Sequence, residues 1–222
     1  MSGAPTRVVL VGSLRDVPDP GALAAEHAGD RRVALVTAGW QEWEEDDADL
    51  RAGAGEGVVN LRLYARASEV WAEDPELTRG HRELQDQVRA LRRSYNLRLA
   101  HAMGAWIELL DMPGSGPVLQ EERISALEAV KALDRHHGRR LAELRDAFYR
   151  RFDPLNRGAV ARRRHEITEE LDGVGAVLIA GGHVPVLLNR LRLFGVDQLM
   201  GGRSVVASAG GAMALSDRVV LF

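Results

Sequence analysis

The sequence has 222 residues, of which 45% are hydrophobic and 27% charged, and its formal net charge is −3. A charge so close to neutral gives no electrostatic footprint for a nucleic-acid backbone, so we expect no nucleic-acid partner. The absence of cysteine excludes disulfides, thiolate metal sites and thiol nucleophiles. No apolar run approaches the roughly 18 residues that a membrane span needs, so we expect a cytoplasmic protein without a membrane partner.

Two continuous apolar runs in the first forty residues predict buried parallel strands. They cover 7–12 and 32–39, and a glycine closes each run. Between them, Asp19 can cap a helix and Pro20 suits a first helical position, which predicts a short crossover helix. The alternating segment 58–64 predicts a third strand nearer the edge of the sheet.

From about Pro75 the hydrophobic spacing becomes that of a helix. One apolar stripe continues to Leu110, and a second runs over 124–152 after a break rich in glycine and proline. Two such helices should form an antiparallel hairpin. A shorter third helix follows Asp153-Pro154, so we expect a helical insertion over 76–172.

The sheet pattern then resumes. Apolar runs at 176–182 and 204–207 predict two more strands, with a helix between them and a helical turn over 208–213. The sequence therefore predicts an α/β fold. Its doubly wound, mainly parallel sheet is built from 1–75 and 173–222, and the helical insertion interrupts it.

Ser208 has the setting of a nucleophile elbow. It stands between a predicted strand and a helix, and small residues follow it, as such a tight turn requires. Gly181 and Gly182, after the preceding strand, could offer backbone N–H groups to an oxyanion, with Ala209 as a further backbone position. These residues together predict an acyl-transfer site.

The segments that carry this site resemble the dipeptidase E and cyanophycinase family of serine peptidases, within the class I glutamine amidotransferase-like superfamily. The resemblance rests on 180–183 and 205–215, and more weakly on 36–42 and the long helices. It implies a flavodoxin-like sheet and an elbow serine as nucleophile. It also implies a downstream histidine with an acidic partner, a small peptide or amide substrate, and no cofactor.

The sequence departs from the family pattern in its register. Relatives read Ser-Ala-Gly-Ala before the apolar turn, and a gapless alignment on Ala212-Met213 puts Ala209 in the nucleophile position. Counting from the Ser-Ala-Gly triplet selects Ser208 instead. We favour Ser208, because the glycine that follows meets the requirement of the turn.

A second departure concerns the base that a serine nucleophile needs. Only 14 residues follow Ser208; none is histidine, and Asp217 is the sole acid. Because 218–222 resembles the start of a strand, we expect the sequence to be incomplete at its carboxyl end; alternatively, the protein dispenses with a triad. His183 could substitute as the base, but we expect it to be a polar residue in the first turn of a helix.

Other candidate residues are assigned weaker roles. Trp40 and Gln41 follow a strand and could line a substrate cleft, or the tryptophan could simply pack. The acidic residues between 42 and 49 are expected on a solvated helix surface. We expect no metal site at His136, His137 and His165, because adjacent histidines on a helix point about 100° apart.

Two functions follow from these observations. The first is a serine peptidase-like amide hydrolase in which Ser208 attacks, with little or no activity as the sequence stands. The second is a catalytically silent binding or assembly module on the same scaffold, which forms a homodimer through the helical arm.

Overall fold

The computed structural model describes residues 4–12 and 19–216. In this part of the chain, five parallel strands form one sheet in the order β1-β5-β4-β2-β3. The strands are β1 (Arg7–Val11), β2 (Arg32–Val36), β3 (Val59–Asn60), β4 (Val174–Ile179) and β5 (Ser204–Ser208). The fold is thus α/β with an all-parallel sheet, which is consistent with a doubly wound architecture.

Eight α-helices connect or follow these strands in the described residues. They are α1 (Pro20–Ala28), α2 (Ala48–Ala54), α3 (Leu63–Glu73), α4 (Pro75–Asp111), α5 (Pro117–Phe152), α6 (Gly158–Glu170), α7 (Val184–Leu193) and α8 (Gly210–Ala214). Short 3-10 turns cover Ala38–Trp43, Pro154–Asn156 and Val196–Leu199. None of the described helices combines the length and the apolar character that a bilayer crossing needs.

The predicted apolar strands are confirmed, and so is the crossover helix. Asp19 caps α1 by accepting from the N–H of Gly21 at 2.8 Å, with Pro20 in the first turn. The central strands β2 and β4 are almost wholly buried, as the unbroken apolar runs predict. The core against α1 includes Leu35, Leu178 and Val206.

The third strand differs from its prediction over 58–64. It lies at the sheet edge as expected, but it has only two residues, because the chain enters α3 at Leu63. Leu61 and Leu63 are both fully buried, so buried residues alternate along the sequence as they would in a strand, although the chain is not a strand here. Arg62 between them adopts a left-handed φ of 45°, which turns the chain into the helix.

The chain divides into two compact units. One contains residues 1–74 and 154–222, and the other is Pro75–Asp153. The predicted insertion over 76–172 therefore extends too far at its carboxyl end, since α6 belongs to the α/β unit. Arg66 of α3 pairs with Glu166 and Glu170 of α6, the latter at 2.6 Å, and this links the two helices within that unit.

The second unit is the predicted antiparallel hairpin of α4 and α5. Near its turn, Nε of Arg123 donates to the Leu109 carbonyl at 2.8 Å. Midway along the helices, the Tyr95 hydroxyl donates to Asp134 at 2.6 Å, and the Tyr95 ring stacks on His137 with centroids 4.2 Å apart. These contacts fix the register of the two helices.

Candidate functional site

The tight turn after β5 is made by Ala209. Its backbone angles are φ 47° and ψ −117°, and α8 starts at the next residue. Residues other than glycine rarely adopt a positive φ, so the backbone of Ala209 is strained, at a typical cost of about 1–3 kcal/mol. The turn thus falls one residue later than the favoured prediction and agrees with the alternative register, in which Ala209 occupies the nucleophile position.

Ser208 is instead the last residue of β5. It is 3% exposed and pairs across the ladder with Val11 of β1. Side chains alternate between the faces of a strand, so Ser208 projects to the same face as Val206, which packs in the core with Ala24 of α1. The hydroxyl that was predicted to stand above the sheet edge therefore belongs to a buried strand residue.

The end of β4 meets this turn at very short range, and glycines make that approach feasible. A Cβ added to Gly211 would lie 2.2 Å from the Ile179 carbonyl oxygen, and one added to Gly181 would lie 3.0 Å from the Gly210 nitrogen. The Ala209 methyl lies 3.3 Å from that second position, so it faces the loop of Gly181 and Gly182. The structure therefore brings the predicted glycines to the turn, but against an alanine side chain.

One predicted backbone role is changed by the sheet. The N–H of Ala209 donates to the Val11 carbonyl at 2.9 Å, as part of the contact between β5 and β1. An N–H already bonded in this way is not directed at a substrate oxygen, so Ala209 does not fit the predicted oxyanion role. For the predicted donors Gly181 and Gly182, the structure shows no hydrogen bond donated by the backbone N–H to a described residue.

The surface in front of the turn is an apolar depression of about 410 Å³. Leu10, Gly12, Ala209 and Met213 are among its lining residues, and Leu10 is 55% exposed. Among the described residues that line it, none carries a titratable side chain. The described lining of this depression offers apolar side chains and backbone groups.

His183 is the residue that caps α7. Its Nδ1 accepts from the N–H of Val186 at 3.3 Å, and its own N–H donates to the Gly39 carbonyl at 2.7 Å. This confirms the expectation that His183 begins the helix as a polar residue. The Nδ1 atom of His183 is therefore engaged by the backbone at the start of α7.

The segment after β2 joins the same cluster of loops. Gly39 and Gly182 lie so close that a Cβ on Gly182 would meet the Gly39 carbonyl oxygen at 2.5 Å and the Trp40 ring at 2.9 Å. Trp40 is half-buried there. Gln41 adopts φ 60° and ψ −121°, which are similar to the backbone angles of Ala209. Both predicted lining residues therefore belong to this edge of the sheet, where the carboxyl ends of β2, β4 and β5 meet.

The acidic residues after β2 correct another prediction, because two of them are buried rather than solvated. Glu44 is 3% exposed, and its carboxylate accepts from the N–H of Tyr64 at 2.9 and 3.0 Å and from that of Ala65 at 2.9 Å, at the start of α3. Burial raises the pKa of Glu44 against the effect of these bonds. Asp47, 4% exposed, accepts from the side chain of Asn60 at 2.8 Å.

Arg190 lies beside this buried carboxylate. Its guanidinium carbon is 5.3 Å from the centroid of the Tyr64 ring and 5.8 Å from that of Trp71, and burial lowers the pKa of Arg190. The positive charge favours the ionised form of Glu44. Sequence reasoning missed this cluster, because its members come from three separate segments and no local motif connects them.

Within the described ranges, no group of three histidine, aspartate or glutamate side chains is placed to hold a metal ion. The comparisons with known proteins add no identification: no family model, curated protein or solved structure matches the chain. What the fold and the site define is an α/β protein with a five-stranded parallel sheet and a strained alanine turn at its carboxyl edge.

Proposed function

We propose that this chain is a catalytically silent binding or assembly protein, built on the flavodoxin-like scaffold of the class I glutamine amidotransferase-like superfamily. The observation that carries the proposal is Ala209, whose backbone has the strained turn that an elbow nucleophile would occupy. A methyl group has neither a lone pair to attack a carbonyl nor a proton to give up. Acyl transfer through this position is therefore excluded by its chemistry.

The neighbouring hydroxyl is poorly suited to replace it. Ser208 is 3% exposed, and by the alternation along β5 its side chain belongs to the strand face that α1 covers. A serine also needs a base within hydrogen-bonding reach. In the described α/β unit, His183 is the histidine that lies on these loops, and its Nδ1 is engaged by Val186.

The competing function is the serine peptidase-like hydrolase with Ser208 as nucleophile, and it stays a prediction. The strand predicted to begin over 218–222, and the acid Asp217, lie outside the described residues.

The experiment is labelling with a fluorophosphonate probe, together with a dipeptide hydrolysis assay. The purified chain and its Ser208→Ala variant should both stay unlabelled and give equal background rates, while an active serine hydrolase in the same tube is labelled. Circular dichroism of both proteins confirms that they are folded. Labelling of the unaltered chain that disappears in Ser208→Ala would overturn the proposal and restore the hydrolase function.

A further inference from the structure

Arg190, on α7, is a half-buried cation with few hydrogen bonds of its own. Its Nη1 donates to Oδ1 of Asn189 at 2.5 Å, whereas its Nε is buried and has no hydrogen-bond partner among the described residues. In the same part of the chain, no carboxylate oxygen lies within 4.0 Å of its guanidinium nitrogens. The edge of the guanidinium that carries Nε and Nη2 therefore has donors without an acceptor.

Other arginines of the α/β unit are better compensated. Arg66, which is 5% exposed, pairs with Glu166 and with Glu170. Nε of Arg203 is likewise without a hydrogen bond among the described residues, but its Nη1 and Nη2 donate to three backbone carbonyl oxygens at 2.8 to 3.0 Å. A buried charged donor without an acceptor is unfavourable, so the guanidinium of Arg190 is suited to an acceptor from outside the chain, such as an ion or a ligand.

The acids beside Arg190 are engaged elsewhere. Both oxygens of the buried Glu44 accept from the N–H groups of Tyr64 and Ala65, at 2.9 to 3.0 Å. The positive end of the α3 dipole lies there, and it offsets the charge of Glu44. The exposed carboxylate of Glu42 accepts from the Tyr64 hydroxyl at 2.7 Å. Burial lowers the pKa of Arg190, because its charge is poorly solvated.

Two aromatic rings of α3 flank this guanidinium. Its central carbon lies 5.3 Å from the centroid of the Tyr64 ring and 5.8 Å from that of the Trp71 ring. Residues seven apart on a helix are separated by about 10.5 Å along its axis, so the guanidinium lies between the two rings. All three residues are half-buried, and the slot that they form therefore reaches the surface. We call it the arginine slot.

We infer that the arginine slot binds the carboxylate of a small organic acid, whose two oxygens accept from Nε and Nη2 of Arg190. The edge of a guanidinium presents two parallel N–H groups, which match the two oxygens of a carboxylate in one plane. The anion supplies the acceptors and the opposite charge that this side chain lacks. Because Nε is covered in the structure, binding requires a small movement of one of the half-buried rings.

The arginine slot is separate from the strained turn at Ala209. Arg190 stands seven residues beyond His183, the residue that caps α7, so it lies about 10.5 Å along the helix from that end. The slot is formed against α3, and none of its three residues lines the apolar depression in front of the turn. Carboxylate binding in the slot does not rest on the absence of catalysis at the turn.

The first test is a nuclear magnetic resonance titration of the full chain, isotope-labelled in arginine and tryptophan, with benzoate at neutral pH. Benzoate is the probe because it joins a carboxylate to an apolar ring. The Nε–H signal of Arg190, identified by its loss in Arg190→Lys, should shift and saturate with a Kd of about 1 mM. Benzamide has the same shape without the charge, and it should leave this signal unchanged up to about 30 mM.

The second test compares two arginines of α7 through the indole N–H signal of Trp71, which is identified by its loss in Trp71→Phe. Lysine keeps the positive charge but not the two parallel N–H groups, so Arg190→Lys should weaken benzoate binding by at least about tenfold. The matched control is Arg192→Lys, because Arg192 is exposed on the same helix. This variant should bind benzoate as the unaltered chain does, and circular dichroism should show the same helical signal in all three proteins.

Several results would overturn the inference. They are a Nε–H signal of Arg190 that benzoate does not shift, an equal shift with benzamide, and an Arg190→Lys variant that binds benzoate as tightly as the unaltered chain or no more weakly than Arg192→Lys. Inorganic phosphate that shifts the signal at lower concentration than benzoate would assign the slot to a tetrahedral anion and would also overturn it. If Arg190→Lys does not fold, the titrations of the unaltered chain with benzoate and benzamide still decide the question through the Trp71 signal.

Carboxylate binding and catalytic silence are tested by different measurements. Fluorophosphonate labelling of a chain that binds benzoate would contradict the proposed function alone. An unlabelled chain that does not bind benzoate would contradict carboxylate binding alone. The two proposals therefore fail separately.

Discussion

Replacing Ala209 by glycine should stabilise the protein, although removing a side chain usually does the opposite. The turn holds this alanine at φ 47°, which costs about 1–3 kcal/mol and which glycine adopts freely. Against that gain, glycine increases the freedom of the unfolded chain by about 0.4–1 kcal/mol. Loss of a half-buried methyl costs about 0.4 kcal/mol more. The net expectation for Ala209→Gly is a gain of about 1 kcal/mol in the free energy of unfolding.

Urea denaturation measures this difference, and Ala207→Gly is the matched control. Ala207 is fully buried one position before Ser208, and its φ is not positive. Its change to glycine relieves no strain and should cost about 1.5 kcal/mol from the lost methyl and the added chain freedom. If Ala209→Gly lost as much stability as Ala207→Gly, the strained turn would not be at residue 209, and the reasoning would be refuted.

Two further outcomes test other parts of the structure. In urea denaturation, Glu44→Ala should lower the free energy of unfolding by about 1–3 kcal/mol, because it leaves the N–H groups at the start of α3 without their acceptor. The control is Glu45→Ala, since the Glu45 side chain is 70% exposed. Its free energy of unfolding should stay within about 0.5 kcal/mol of that of the unaltered protein. Burial lowers the pKa of His137, so the neutral ring is favoured in the fold. The stability that this provides is present above the ordinary value near 6.5, and it is lost as the pH falls from there through the lowered folded pKa. Between pH 7.5 and pH 5, the unfolding temperature should therefore change less with pH in His137→Gln than in His136→Gln. Equal changes in the two variants would contradict the assignment of this pH dependence to His137.

The parts of the fold that sequence could predict are those in which local pattern and tertiary environment agree. The runs that became β2 and β4 are apolar throughout because both faces of a central parallel strand are covered. The hairpin was evident from a helical period sustained over 37 residues in α4 and 36 in α5. In these segments every neighbouring residue supports the same interpretation.

The failures have physical causes at particular residues. Helix α3 was missed because its cap, Glu44, lies 20 residues upstream of Tyr64, so no local capping signal marks its start. The alternation of Leu61 and Leu63, read as a strand, arises from two residues buried on either side of a left-handed turn. Both cases are tertiary contacts that override a local pattern.

The position of the turn could have been predicted more closely. A turn at Ser208 needs one small residue after the serine, but the chain has two consecutive glycines, Gly210 and Gly211. Both have close neighbours: a Cβ on the first would lie 3.0 Å from Val184 and on the second 2.2 Å from the Ile179 carbonyl oxygen. The pair therefore marks where α8 passes the end of β4, and counting back from it places the turn at Ala209.

The most direct test of the central claim, that residue 209 rather than residue 208 occupies the turn, is the thiol reactivity of two single-cysteine variants. The chain has no cysteine of its own, so each variant reports on one position only. Ala209→Cys should react with Ellman's reagent at least about tenfold faster than Ser208→Cys, whose thiol would be reached only when β5 opens locally, and the two should react alike in denaturant. Faster reaction of the folded Ser208→Cys variant would contradict the account.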